Sequence, residues 1–170
     1  MTLERSPDVH ANAPDMPAAV VEAFTAATIT AFEELTQLFI SAGQPFMAGG
    51  DPVGFGVIAV IKLRKVTPGR LTLAFPQVVL AAIARRYLPA DIELSQEIIE
   101  DTAGEFANVI AGQAKTALKG SPYHFGLSTP VVSHGSSDHR SIHGIPSFAR
   151  AFSTEVGTFV LCVQLSPGDD

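Results

Sequence analysis

The residues best suited to chemistry lie close together in one segment, from Glu100 to Leu118. Glu105 and Asn108 stand about one helical turn apart, which places a carboxylate beside an amide that can both donate and accept hydrogen bonds. At about 100° per residue, polar residues and glycines share roughly a third of the helix circumference. They are Asp101, Gly104, Glu105, Asn108, Gly112 and Lys115, and the apolar residues opposite are Ile99, Ala103, Phe106, Ile110 and Ala117. The pattern predicts an amphipathic helix that exposes an acid and an amide.

Two glycines on this stripe, Gly104 and Gly112, predict a close approach to the helix backbone. Glycine is less favourable than alanine in a helix interior by roughly 1 kcal/mol, so its presence needs a reason. One reason is a partner molecule that comes against the helix. The alternative is that the polar residues form an ordinary solvated face and that the glycines are notches for packing within the chain.

The segment resembles the CheC/CheX family of chemotaxis phosphatases. The family motif is an acidic residue or serine, three residues, glutamate, two residues and asparagine, with a proline twenty-odd residues later; here these positions are Asp101, Glu105, Asn108 and Pro130. Residues 110–118 continue the similarity. Pro130 follows Asn108 after 21 residues, about one fewer than in the family pattern. The Glu-x-x-Asn pair occurs once, as in the single-site CheX branch rather than the two-site CheC branch.

The resemblance implies a protein phosphatase that hydrolyses the aspartyl phosphate of a CheY-like response-regulator receiver domain. Such catalysis consists mainly of positioning an in-line water and neutralising charge. Asn108 would position the attacking water, and Glu105 would dock to a lysine of the receiver. A catalytically inactive module that docks receivers or motor-switch proteins through the same helix is the alternative function.

The resemblance also implies how the receiver and its metal are engaged. The docking surface would be formed by Asp101, Gly104, Gly112, Lys115 and Pro130. The helix offers no acidic cluster for a hard cation beyond Asp101 and Glu105, so no metal site or cofactor of its own is expected. Mg²⁺ would come from the phosphorylated receiver.

The elements that must position this helix are predicted from periodicity and turn residues. Helices are predicted at residues 17–39 and 77–88, and the motif helix is capped by Ser95 at its start. Strands are predicted at residues 56–63, 71–75, 126–133, 148–152 and 156–165. Pro68 and Gly69 predict a type II turn inside an antiparallel hairpin.

Periodicity predicts one domain with helices and strands, and the resemblance to CheC/CheX proteins implies an α+β fold with a largely antiparallel sheet packed against long helices. Residues 1–15 lack periodicity and are expected to be a flexible tail, and residues 16–170 form a single CheX-like domain. The last strand is apolar on both faces, with Phe159 and Leu161 on one and Val160 and Cys162 on the other. A homodimer formed through the C-terminal strands is therefore expected, as the resemblance also implies.

Composition limits the other possibilities. Hydrophobic residues make up 46% of the 170 residues and charged residues 16%, which is typical of a globular chain. A net charge of −6 and the absence of a basic stripe argue against a nucleic-acid partner. The single cysteine, Cys162, precludes a disulfide within the chain, and no apolar run is long enough for a membrane span. With no signal-peptide pattern at the start of the sequence, a cytoplasmic protein is expected.

A histidine-rich loop is the other place where chemistry could occur. His134, His139 and His143 lie near Asp138 and could supply zinc ligands, although the segment lacks cysteine partners. A catalytic triad of Ser136, His139 and Asp138 is disfavoured, because near neighbours in a loop rarely reach each other in catalytic geometry. An unrelated enzyme that uses this loop is a third hypothesis.

Overall fold

The computed structural model describes residues 16–46, 56–65, 68–134 and 144–168. In chain order the elements are α1 (Ala18–Thr36), β1 (Ser41–Ala42), β2 (Val57–Arg64), β3 (Gly69–Phe75), α2 (Gln77–Tyr87), α3 (Gln96–Ala117), β4 (Gly126–Leu127), β5 (Val131–His134), β6 (Ser147–Thr154) and β7 (Gly157–Gln164). The predicted tail, residues 1–15, and most of the histidine-rich loop, residues 135–143, lie outside the described residues.

In the described residues seven strands form one antiparallel sheet: six follow the order β1-β6-β7-β3-β2-β4, and β5 pairs with β2. At one edge of the sheet, β2 pairs with two short strands, with β4 near Leu63 and with β5 along Val57 to Val60. Residues 128–130 separate β4 from β5. The α+β fold with an antiparallel sheet is confirmed, whereas the prediction of one continuous strand at residues 126–133 is wrong, because Pro130 has no backbone N–H for a strand ladder.

Helices α1, α2 and α3 of the described residues pack on one face of the sheet. Alternate residues of β2, including Val57 and Ile61, are fully buried in the core cluster that also contains residues of α1, α2 and α3. The residues between them, Ile58 and Val60, point to the opposite face of the sheet. There they form a separate small cluster with Ala74 of β3. This strand period of two sets the helix layer against one side of the sheet.

Aromatic rings anchor α3 to the layers around it. The ring centroid of Phe32 on α1 lies 4.5 Å from that of Phe106 on α3 and 4.5 Å from that of Phe159 on β7. Phe106 also meets Tyr87 of α2 edge-on, with centroids 5.5 Å apart. Burying a phenylalanine ring stabilises a fold by about 1.5–3 kcal/mol, so this cluster determines which face of α3 is turned inward.

The structure corrects two predictions about element ends. The first helix ends at Thr36 rather than near residue 39, because Gln37 adopts a left-handed conformation (φ 59°) and the Thr36 hydroxyl accepts from the N–H of Leu38 at 3.1 Å.

Gly69 is the first residue of β3 and has no positive φ, which excludes it from the third position of a type II turn. A Cβ at Gly69 would lie 2.7 Å from the carbonyl oxygen of Gln164, so close strand approach explains this glycine.

The last strand, β7, lies in the middle of the sheet between β6 and β3. Phe159, Leu161 and Val163 are buried under the helices, whereas Val160 and Cys162 are half-buried on the opposite face. Both edges of β7 are thus paired within the chain, and a dimer through this strand would have to use its outer face. The homodimer stays a prediction.

Candidate functional site

Helix α3 begins where local chemistry predicts. The Ser95 hydroxyl accepts from the backbone N–H of Ile98 at 3.2 Å, which confirms the predicted N-cap. Glu97 in the first turn and Lys115 in the last turn both complement the helix dipole. The helix therefore forms a rigid support for the side chains along its length.

The exposed stripe of α3 matches the predicted one at most positions. Asp101, Glu105, Asn108 and Lys115 are exposed, and a Cβ added at Gly112 would meet nothing within 4 Å. On the opposite face the predicted apolar residues are buried except Ala117, the last residue of the helix. Leu118 covers the core there instead.

Gly104 departs from the prediction, because it is buried. A Cβ at Gly104 would lie 3.4 Å from Cγ2 of Val132 and 3.6 Å from Cγ of Pro130. The close approach at this position is made by the chain's own β5 edge, so the expectation of an exposed glycine that admits a partner is wrong. Gly104 is a packing notch, and it brings Pro130 onto the motif helix.

Glu105 and Asn108 share an open cavity, which we call the amide cavity. It has a volume of about 480 Å³ and is lined by Gly104, Glu105, Asn108, Leu127, Ser128, Thr129 and Pro130. Its wall opposite the helix is held to β2 by two hydrogen bonds: the N–H of Lys62 donates to the Ser128 hydroxyl at 2.9 Å, and the N–H of Ser128 donates to the carbonyl of Lys62 at 3.1 Å. The two motif residues and the motif proline are thus brought together.

A second cavity, which we call the apolar groove, lies on the other side of Glu105. It has a volume of about 410 Å³ and is lined by Tyr87, Leu88, Pro89, Ile92, Ile98, Asp101, Thr102 and Glu105. Asp101 lines only this groove, and Glu105 lines both cavities. Lys115 and Gly112 line neither cavity and lie further along the exposed stripe of the helix.

The side chains of Glu105 and Asn108 make no hydrogen bond or ion pair with the residues that the structure describes. Both are therefore available to a ligand. A carboxylate and an amide in this arrangement can accept a cation and orient a water molecule, because the amide both donates and accepts. The Ser128 hydroxyl in this cavity donates to the carbonyl oxygen of Thr129 at 3.3 Å rather than to the Glu105 carboxylate, so it is not paired with a base.

Lys65 and His134 are titratable residues whose contacts lie outside the two cavities. Burial lowers the pKa of Lys65, whose ammonium donates to the carbonyl oxygens of Pro122 at 2.7 Å and Ser166 at 2.8 Å. His134, the one residue of the histidine-rich loop within the described ranges, pairs with Glu100 on α3. Ser136, Asp138, His139 and His143 lie outside the described residues, so the metal and triad hypotheses stay untested.

Two kinds of feature are absent from the described ranges. In them, no group of three or more histidine, cysteine, aspartate or glutamate side chains could hold a metal ion. No helix in them is long and apolar enough to cross a membrane.

Sequence patterns missed the far wall of the amide cavity and the whole apolar groove. The sequence pattern predicts Ser128 and Thr129 inside a strand, and the local signal for the strand break is the proline that follows them. Leu88, Pro89 and Ile92 belong to the connection between α2 and α3, where no periodicity could indicate that they face the motif helix. Both features depend on contacts between distant segments.

A family model described as "Chemotaxis phosphatase CheX" matches residues 57–152, more than half of the chain and a span that includes Glu105, Asn108 and Pro130. A search of curated proteins found no match. A putative chemotaxis protein from Desulfovibrio vulgaris Hildenborough is 26% identical, with a TM-score of 0.79, over 86% of this chain and 96% of that one.

Two solved CheX structures have the same fold. CheX from Desulfovibrio desulfuricans is 26% identical, with a TM-score of 0.75, over 86% of this chain and 99% of that one. CheX from Borrelia burgdorferi, solved in complex with CheY, BeF₃ and Mg²⁺, is 18% identical, with a TM-score of 0.72, over 86% of this chain and 97% of that one.

Proposed function

The chain belongs to the CheX family of chemotaxis phosphatases, and from this premise we propose that it hydrolyses the aspartyl phosphate of a CheY-like receiver domain. One observation carries the proposal. Glu105 and Asn108 line the same open cavity on the exposed face of α3, and neither side chain has a partner among the described residues. Polar side chains placed in this way are available to a phosphorylated protein that docks over them.

In the proposed reaction, the phosphoryl group of the receiver enters the amide cavity. Asn108 orients a water molecule in line with the bond to phosphorus, and as a neutral amide it adds no negative charge near the phosphoryl oxygens. The water attacks phosphorus, the bond to the receiver's aspartate oxygen breaks, and inorganic phosphate leaves. Positioning of this kind accelerates a reaction by restricting the water and the phosphoryl group to a productive geometry.

Glu105 has a different proposed role, since a carboxylate facing a phosphoryl group is unfavourable unless it is paired. We assign it to a lysine of the receiver, so that the ion pair orients the two proteins. The Borrelia burgdorferi complex supports the choice of partner and of metal source, because CheX is bound there to CheY in the presence of Mg²⁺ and BeF₃, which stands in for a phosphoryl group. Mg²⁺ is accordingly proposed to arrive with the receiver.

The remaining predicted docking residues keep their proposed roles with one change. Asp101 borders the apolar groove, Gly112 leaves the helix backbone open, and Lys115 lies at the rim of the stripe. Gly104 contributes only indirectly, because its lack of a side chain lets Pro130 pack against the helix. We also propose a homodimer formed through the outer face of the C-terminal strands. The proposed location is cytoplasmic, where a receiver partner would be found.

The test is dephosphorylation of a CheY receiver that has been phosphorylated with a small phosphodonor. The wild-type protein should accelerate loss of phosphate, and Asn108→Ala should lower that rate by roughly 10² or more. Gln113→Ala removes an amide from another side of the same helix and is the matched control; it should behave as wild type. Rates that are equal for wild type and a folded Asn108→Ala protein would refute the catalytic assignment. Receiver binding by a wild-type protein that gives no acceleration would favour the inactive docking module instead.

A further inference from the structure

Glu105 lies at the boundary between two cavities of different chemistry. On the side of Asn108, the amide cavity is walled by Ser128, Thr129 and Pro130. On the side of Asp101, the groove has an apolar floor and a rim with two carboxylates. A protein that contacts Glu105 from the amide cavity will therefore reach the groove if it extends toward the N-terminus of α3.

The floor of the groove is preformed. The Tyr87 ring packs edge-on against Phe106 of α3, with centroids 5.5 Å apart. The connection after α2 is held by two hydrogen bonds to the carbonyl oxygen of Pro89, from the guanidinium of Arg85 at 2.9 Å and from the N–H of Ile92 at 3.1 Å. Since these contacts already hold the walls, little conformational entropy is lost when a ligand fills the groove.

The charges at the rim restrict what can fill it. Asp101 and Glu105 are both exposed beside the apolar floor, and Ile92 remains 36% exposed within it. Two carboxylates repel a phosphate or a fatty-acid headgroup and attract a basic side chain. The complementary surface is an apolar side chain with a lysine or arginine next to it.

We infer that the apolar groove seats an apolar side chain of the receiver, adjacent to the lysine that pairs with Glu105. The inference rests on the proposed function, which supplies the receiver as the partner. It assigns Leu88, Pro89, Ile92 and Ile98 to substrate-protein recognition, a role separate from the chemistry at Asn108. Ile98 precedes Glu105 by two helical turns, so the contact extends about 10 Å from the catalytic pair along α3.

The experiment compares two exposed apolar residues by the same substitution. Ile92→Ser changes the groove, whereas Val78→Ser changes a 77% exposed side chain on α2 outside it. Binding is measured by calorimetric titration with a CheY receiver loaded with beryllofluoride and Mg²⁺, and turnover with the same receiver phosphorylated by a small phosphodonor. Thermal unfolding confirms that both variants are folded.

We expect Ile92→Ser to raise Kd and KM by about tenfold, as for truncation of an interface anchor, and to leave kcat unchanged. Val78→Ser should match wild type in all three quantities. Equal Kd values for wild type and Ile92→Ser would overturn the inference, and so would an equal loss in Val78→Ser.

The two proposals fail in different ways. Asn108→Ala should retain receiver binding and lose turnover. If the wild-type protein binds the receiver without hydrolysing its phosphate, and Ile92→Ser still weakens binding, then the phosphatase proposal fails and the groove assignment is upheld. If Asn108→Ala loses turnover while Ile92→Ser retains full affinity, the groove assignment fails alone.

Discussion

The buried and exposed faces of α3 differ in how completely their side chains are engaged. On the buried face, Phe106 contacts Phe32 and Tyr87, with centroid distances of 4.5 and 5.5 Å. On the exposed face, Glu105 and Asn108 make no hydrogen bond or ion pair with described residues. The contrast indicates that one face of the helix contributes to stability, whereas the side chains of the other face are available to a ligand.

The largest expected effect on stability comes from removing an aromatic side chain from the buried face of α3. Phe106→Ala should lower the free energy of unfolding by about 3–5 kcal/mol, because it leaves a cavity between α1, α2 and α3. Phe39→Ala is the control, since Phe39 is 87% exposed and its removal should change stability by only about 0.5 kcal/mol. Denaturant unfolding of both variants checks this. A loss below about 1 kcal/mol for Phe106→Ala would contradict the packing described above.

Breaking the exposed face at Glu105 should affect binding and leave stability unchanged. Glu105→Ala is expected to weaken receiver binding by about 2–5 kcal/mol, partly because the receiver lysine is left unpaired, and Glu105→Gln should be milder. Calorimetric titration with a receiver that carries a stable phosphoryl mimic measures the difference. Glu97→Ala, on the same helix but outside both cavities, should retain wild-type affinity; a comparable loss there would point to general charge attraction instead.

The two glycines of α3 extend the comparison of its faces. Gly104 is buried against Pro130 and Val132, whereas Gly112 lies on the exposed stripe. Gly104→Leu should destabilise the protein by about 1–3 kcal/mol, since the added side chain would displace Pro130 and Val132. Gly112→Leu should instead stabilise it by about 0.5–1 kcal/mol, because the position is open and leucine is a better helix former. Thermal unfolding distinguishes the two, and equal shifts would show that Gly104 is not a packing notch.

Gly112→Leu also tests docking. If the receiver comes against the helix backbone at Gly112, the added side chain should raise KM even though the variant is more stable. Unchanged KM in the stabilised variant would remove Gly112 from the docking surface.

Sequence patterns predicted well the features that depend on near neighbours along the chain. The N-cap at Ser95 follows from a hydroxyl that reaches an N–H three residues on, and the exposed stripe follows from the helical period. The same applies to α2, which was predicted at residues 77–88 and spans Gln77–Tyr87. These features were predictable because both partners of each contact lie within about one turn of helix.

Predictions were wrong where a distant segment decided the local geometry. Gly69 has the sequence context of a turn, but it is required by the approach of Gln164 from β7. Residues 128–130 interrupt the strand and form the wall of the amide cavity, while hydrogen bonds between Ser128 and Lys62 hold that wall to β2. Propensity and turn signals describe one residue and its neighbours, whereas strand pairing depends on residues far away in the sequence.

The sequence by itself determined that Glu105 and Asn108 would share one exposed face of a capped helix, because helix geometry relates residues three apart whatever surrounds the helix. Tertiary structure alone decided what lies on either side of that pair. The pairing of β5 with β2 brought Pro130 onto Gly104 and formed one wall of the open amide cavity, and the connection between α2 and α3 formed one wall of the apolar groove. Each of these contacts joins segments whose separation is fixed only when the sheet and the helix layer pack together, so no local pattern could have indicated them.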